Sequence, residues 1–165
     1  DLALSFERAE KDIMKEPPRN PKESLFDKVL LEQTIIAGVV IGLLLFALWY
    51  YLVNIVHMSE AVARGYVMTL MVFIQNINVL NCRSEKRSVF KESIKDNPLV
   101  IGTILFSIAL QLIMAEIPLT AKFLKVIPLP IMTILQIFAL SLLIIIVFEV
   151  YKLIYNRTNK KKEVN

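Results

Sequence analysis

The sequence predicts an all-α fold, an integral membrane bundle of four transmembrane helices. Three observations carry that reading. Hydrophobic residues make up 56% of the 165 residues. The mean hydropathy is +0.58, too apolar for a soluble domain of this length. Four runs carry no Asp, Glu, Lys or Arg: Gln33 to Ser59, Gly65 to Cys82, Asn97 to Ala115, and Val126 to Phe148. Each run is close to the ~20 helical residues that span a hydrocarbon core of roughly 30 Å. Four buried helices of a soluble protein would need amphipathic cover that this chain does not supply.

The elements follow in order. Residues 1–29 are charged and proline-rich and read as a cytoplasmic lead segment rather than a cleavable signal peptide. Residues 30–165 read as a four-helix transmembrane domain with helices near 30–56, 62–82, 98–116 and 129–155, followed by a short basic tail. Asn97-Pro98 marks the start of the third helix, an N-cap residue followed by proline at the first helical position. Pro128 and Pro130 punctuate the approach to the fourth. The chain begins with Asp rather than Met and is expected to be a piece of a longer polypeptide. Its single cysteine, Cys82, precludes an intrachain disulfide.

Charge sets the orientation. Sixteen of the nineteen Lys and Arg residues fall in the lead segment, in the loop after the second helix, and in the tail. Only Arg64, Lys122 and Lys125 lie in the other two loops. The positive-inside rule therefore predicts that both termini and the 83–97 loop are cytoplasmic, as expected for a multi-pass protein of the plasma (inner) membrane. Trp49, Tyr50 and Tyr51 form an outer aromatic anchor on this reading, with Tyr151 and Tyr155 an inner one. The same charges lie in separate short loops with little aromatic interleaving, which argues against a nucleic-acid partner. The lipid bilayer is the partner they imply.

Polar residues within the apolar runs are the candidates for chemistry. Residues 71–81, MVFIQNINVLN, hold four amides: Gln75, Asn76, Asn78 and Asn81. Gln75, Asn78 and Cys82 share a helix face, with Asn76 about 100° away. An unpartnered buried amide costs a few kcal/mol, so these residues either bond neighbouring helices or line an ion path. Amide oxygens suit hard divalent ions, but no carboxylate lies deep in any run to complete such a site. Thr103, Ser107 and Gln111 form a polar stripe on the third helix. The hydroxyls can bond back to the preceding turn, whereas Gln111 needs a partner and should face protein. Gly38 and Gly42 form a GxxxG face that admits a close helix, either within this unit or outside it. His57, the lone histidine, sits at a helix end and reads as an interfacial residue. No phosphate loop, metal cluster or nucleophile triad is visible.

A resemblance adds what composition cannot. ALSFERAEKDIMKEPPRNPKES (residues 3–24) resembles the cytoplasmic stretch after the sixth transmembrane helix of P-type cation-transporting ATPases, sharing A-L-x-F, D-I-M and P-P-R-x-P-K-E. NVLNCRSEKRSVF (78–90) is similar to the cytoplasmic end of that family's eighth helix. The resemblance implies that the four helices are the seventh to tenth of a ten-helix, calcium-pump-like ATPase. It implies a parent enzyme that uses ATP and Mg²⁺ to move a cation, expected to be Ca²⁺. The partners it implies are the remaining helices and cytoplasmic domains of that pump. Gln75 falls where such pumps place an ion-site side chain. The sarcoplasmic reticulum type has Glu there, whereas single-site secretory-pathway-like and many bacterial relatives have Gln. Asn76 and Asn78 would then complete its hydrogen-bond network. Arg8 departs from the Pro of many relatives. The family's D-K-T-G-T, T-G-E and G-D-G-x-N-D motifs do not occur, so this segment carries no catalytic site. A stand-alone four-helix transporter or accessory subunit is the competing expectation.

Overall fold

The computed structural model describes residues 2–6, 28–83, 88–91, 97–124 and 126–163. Most of the expected lead segment, and with it most of the 3–24 motif, lies outside the described residues, as do 84–87 of the second motif. Helix α1 (Lys28–Tyr50) is apolar on every face beyond its first two turns and, at 23 residues, is about 35 Å long. It runs on into a π turn, Tyr51–Ile55, where the Val56 N–H reaches the Tyr51 carbonyl at 3.0 Å. The wider register leaves room for the Asn54 side chain to donate to the Tyr50 carbonyl at 3.3 Å. His57 ends the segment with φ 58°, the left-handed conformation in which a chain commonly leaves a helix.

Helix α2 (Glu60–Asn81) opens with an exposed i,i+4 pair, Arg64 to Glu60 at 3.1 Å. Helix α3 (Pro98–Glu116) begins as its dipeptide predicts, with the Val100 N–H donating to Asn97 Oδ1 at 3.2 Å. The Asn97 amide also donates to the Ala3 carbonyl at 3.0 Å, which ties the short 3₁₀ turn Leu2–Phe6 to the start of α3. A seven-residue helix α4 (Pro118–Leu124) follows, an element the sequence reading did not anticipate.

The expected fourth helix is two segments in line, α5 (Ile131–Ser141) and α6 (Leu143–Glu163). Ser141 is buried and donates its hydroxyl to the Phe138 carbonyl at 2.6 Å. Around it, the Leu142 N–H turns to Ala139 and the Ile145 N–H to Leu142, so the helix tightens for one turn and then continues.

Packing centres on α2, which touches α1, α3, α5 and α6. Leu70, Phe73, Ile74 and Ile77 of α2 meet Ile137, Ile144 and Phe148 in one core, with Phe73 edge-on to Phe138 at 5.7 Å. Ala37, Val40, Ile41, Leu44, Leu45 and Leu48 pack onto it from one stripe of α1. The spacing of that stripe is the i, i+3, i+4 pattern of a helix face.

Three helical stretches are long and apolar enough to cross a membrane: Val29–Ile55, Pro98–Glu116 and Ile131–Thr158. Helix α2 is as long, but its four amides lower its hydropathy. The four expected spans are thus three strongly apolar helices around a more polar fourth. Large apolar side chains are exposed along all three, among them Leu43, Phe46, Leu105, Phe106 and Ile146. A surface of that kind belongs in lipid or against other membrane helices.

Candidate functional site

The amide cluster of α2 divides three ways. Gln75 is exposed and, among the described residues, makes no hydrogen bond to Asn76 or Asn78. Met71, one turn before it, and Cys82, two turns on, are also exposed. Asn78, between them on the same face, is half-buried, so the face is covered in part and Gln75 stands on its open part. Asn76 points elsewhere. Its Nδ2 donates to the Val72 carbonyl at 2.9 Å and to Ser107 Oγ on α3 at 3.1 Å. A bridge between two helices at this depth supplies the amide with a partner that lipid cannot offer.

Asn78 and Asn81 lie toward the end of α2. Asn78 Oδ1 is buried without a hydrogen-bond partner among the described residues, and so are both polar atoms of the Asn81 side chain. The Asn81 main chain is engaged: its carbonyl accepts from Lys152 Nζ at 3.2 Å. Lys152, counted with the basic tail in the sequence, is 2% exposed and caps the carbonyl end of α2 from α6. A cation there meets the negative end of the helix dipole. Two further links converge on this end of the bundle. The Tyr151 hydroxyl donates to Glu32 Oε2 at 2.8 Å, and the Val89 N–H donates to Glu149 Oε1 at 2.8 Å.

No local pattern pairs these residues, because each link joins positions 60 or more apart. The available signal was weaker: Glu32, Glu149 and Lys152 sit at the edges of apolar runs, where a charge needs either water or a partner.

Gly38 and Gly42 are exposed, and a Cβ at either position would meet nothing within 4 Å. The smooth face they form on α1 is thus open, to one side of the stripe that packs on the core. On α3, Thr103 bonds back to the Val100 carbonyl at 2.9 Å, while Ser107 receives Asn76. Gln111 faces a recess walled by Gly65 and Thr69 of α2, without a hydrogen-bond partner among the described residues. His57 is exposed at its helix end. Among the described residues no group of His, Cys, Asp and Glu is arranged to hold a metal ion.

Comparison with known proteins gives this arrangement its context. A family model described as "Cation transporting ATPase, C-terminus" matches residues 1–154. The chain is 32% identical over 117 residues, 71% of its length, to a calcium-transporting ATPase of Bacillus subtilis, of which it covers 13%. It is 29% identical over 164 residues, 99% of its length, to the calcium-transporting ATPase type 2C member 1 of Mus musculus, of which it covers 18%. The protein of the same name from Homo sapiens is 29% identical over 151 residues, covering 91% of this chain and 16% of that protein. The chain thus spans less than a fifth of the curated relatives it matches. Its all-helical, multi-pass architecture and a match that runs nearly end to end agree: the chain belongs to the family of cation-transporting ATPase C-terminal domains.

Proposed function

We propose that this chain is the C-terminal transmembrane part of an ATP-driven pump that moves Ca²⁺ across a membrane. The observation that carries the reading is the family match over residues 1–154, joined to relatives named calcium-transporting ATPases. A match of that extent does not favour the stand-alone four-helix alternative. In the parent enzyme, ATP and Mg²⁺ act in domains outside this chain, and phosphorylation of an aspartate there drives the cycle. This segment supplies lateral support in the bilayer. The distribution of Lys and Arg supports an orientation with both termini cytoplasmic, and we place the pump in a plasma (inner) membrane.

Gln75 is the residue we assign to the transported cation. Its exposed amide on the open part of that face of α2 supports a role toward helices outside the chain, which would bring the carboxylates that hold most of the charge. Asn78 stands near it as a supporting amide, whereas Asn76 is already engaged by Ser107. Gly38 and Gly42 offer those helices a close approach along α1.

The test is cation-dependent phosphorylation of the full-length parent. Loss of one neutral ligand costs about 1–3 kcal/mol, so Gln75→Ala should raise the half-maximal Ca²⁺ concentration roughly five- to hundredfold. Gln75→Glu should keep binding but make it more dependent on pH, since a carboxylate must lose its proton to bind metal. A Gln75→Ala pump with reduced thermal stability and unchanged Ca²⁺ dependence would make Gln75 a packing residue only.

A further inference from the structure

At the end of the bundle opposite Asn81, a recess of about 440 Å³ lies between α2, α3 and the segment leading into α5. That size falls within the range of small-molecule sites. Its lining is chiefly aliphatic, with three polar exceptions: Thr69, Gln111 and Glu116. Gly65 forms part of the wall because the Ile127 carbonyl presses close, 3.3 Å from where a Cβ would stand. This approach fixes the chain before α5 against α2 and holds the recess in shape.

The chemistry of the three polar side chains is specific. Thr69 is 5% exposed, and neither its hydroxyl nor the Gln111 amide has a hydrogen-bond partner among the described residues. Gln111 lies five residues before the end of α3, roughly 8 Å inside the helix terminus, with its amide open to the recess. Glu116 is exposed at the last position of α3 and makes no ion pair among the described residues. Arg64, on α2 beside Gly65, is already engaged by Glu60. The recess therefore combines an apolar body, two unsatisfied hydrogen-bonding groups and one carboxylate. Anionic heads are repelled by Glu116, and a purely apolar chain leaves Gln111 unpaired.

We propose that this recess binds an amphiphile with an ammonium head, the head between Gln111 and Glu116 and the chain against the aliphatic wall. Such a head donates several hydrogen bonds and carries the charge that Glu116 complements. The same chemistry occurs in an aminophospholipid and in a soluble alkylamine, and the experiment distinguishes the two.

The complete polypeptide that carries this chain would be reconstituted in nanodiscs, and bound molecules counted by native mass spectrometry. One arm titrates octylammonium against octanoate. The other compares phosphatidylethanolamine with phosphatidylglycerol in a phosphatidylcholine background. The expected result is at least tenfold tighter binding of octylammonium than of octanoate. Glu116→Gln should reduce that preference at least fivefold, and Ala115→Leu, which fills the recess from α3, should abolish binding. Selective retention of phosphatidylethanolamine, lost in Ala115→Leu, assigns a lipid as occupant. Selectivity confined to octylammonium assigns a soluble amphiphile. Should Ala115→Leu fail to fold, the exposed Glu116→Gln change decides alone. Equal binding of octanoate and octylammonium, or binding unaltered in the variants, would overturn the proposal.

Discussion

Helices α1 and α2 are nearly the same length, 23 and 22 residues, and could hardly be used more differently. Beyond its first two turns the first is apolar all round, and only one of its described side chains, Val29, is buried. The second carries four amides and buries eight residues. In water the ranking would be reversed, with the greasier helix at the centre. In a membrane an apolar helix gains little by leaving lipid, whereas an amide gains a great deal by reaching another protein group. The amide-bearing helix therefore occupies the centre of the bundle, and the position of α2 follows from its polar residues as much as from its Leu and Ile.

The contrast can be broken most directly in the core. Leu70→Ala on α2 should destabilise the chain by about 2 kcal/mol, the low end for a buried leucine. Lost packing and the residual cavity remain as costs, but transfer from water contributes little. Leu43→Ala on the exposed side of α1 should cost a small fraction of that. Unfolding of both variants in the same detergent measures the difference, and equal losses would refute the central placement of α2.

The amide bridge comes next in size. Asn76→Leu removes the donor to Ser107 and should cost about 1 kcal/mol, the usual scale for a hydrogen bond between membrane helices. Combining it with Ser107→Ala in a double-mutant cycle isolates the pair term. A coupling of zero would show that Val72, in the same helix, satisfies the amide alone.

The smallest effect on this chain is expected at Gly42. Nothing lies within 4 Å of its missing Cβ, so Gly42→Leu should leave stability unchanged or raise it by up to about 1 kcal/mol through helix propensity. In the parent pump proposed above, the same change should impair association with the remaining helices, measured by recovery of folded full-length protein. Unfolding of this chain on Gly42→Leu would place that face inside the bundle.

Much of this architecture was legible in the residues. Charge-free runs located the long helices, and Asn97-Pro98 located the start of α3 because its capping is local. Legibility failed where the cause was not local. The seven residues of α4 are too few to show a period. The tightened turn at Leu142 depends on a buried serine in a run that otherwise reads as uninterrupted helix. Lys152 read as a tail charge because nothing in sequence reveals that the carbonyl end of α2 stands beside it. For the site, the amide cluster was visible, but not its division into one exposed, one bridging and two buried members. Gln111 illustrates the same limit: its need for a partner was evident, whereas the recess beside it exists only once α2 and α3 are packed.

The three polar links at the Asn81 end also set an order of events under load. Lys152 ties α6 to α2, Tyr151 ties α6 to α1, and Glu149 ties α6 to the loop after α2. At the opposite end the described side-chain bonds are local, Arg64 to Glu60 and Thr120 to the carbonyls of Met114 and Ile117. Parting the helices at the tied end breaks three side-chain links as well as packing, while the other end parts at the cost of packing alone. Pulled or heated, the bundle should open like a sheaf bound at one end, with α6 as the binding.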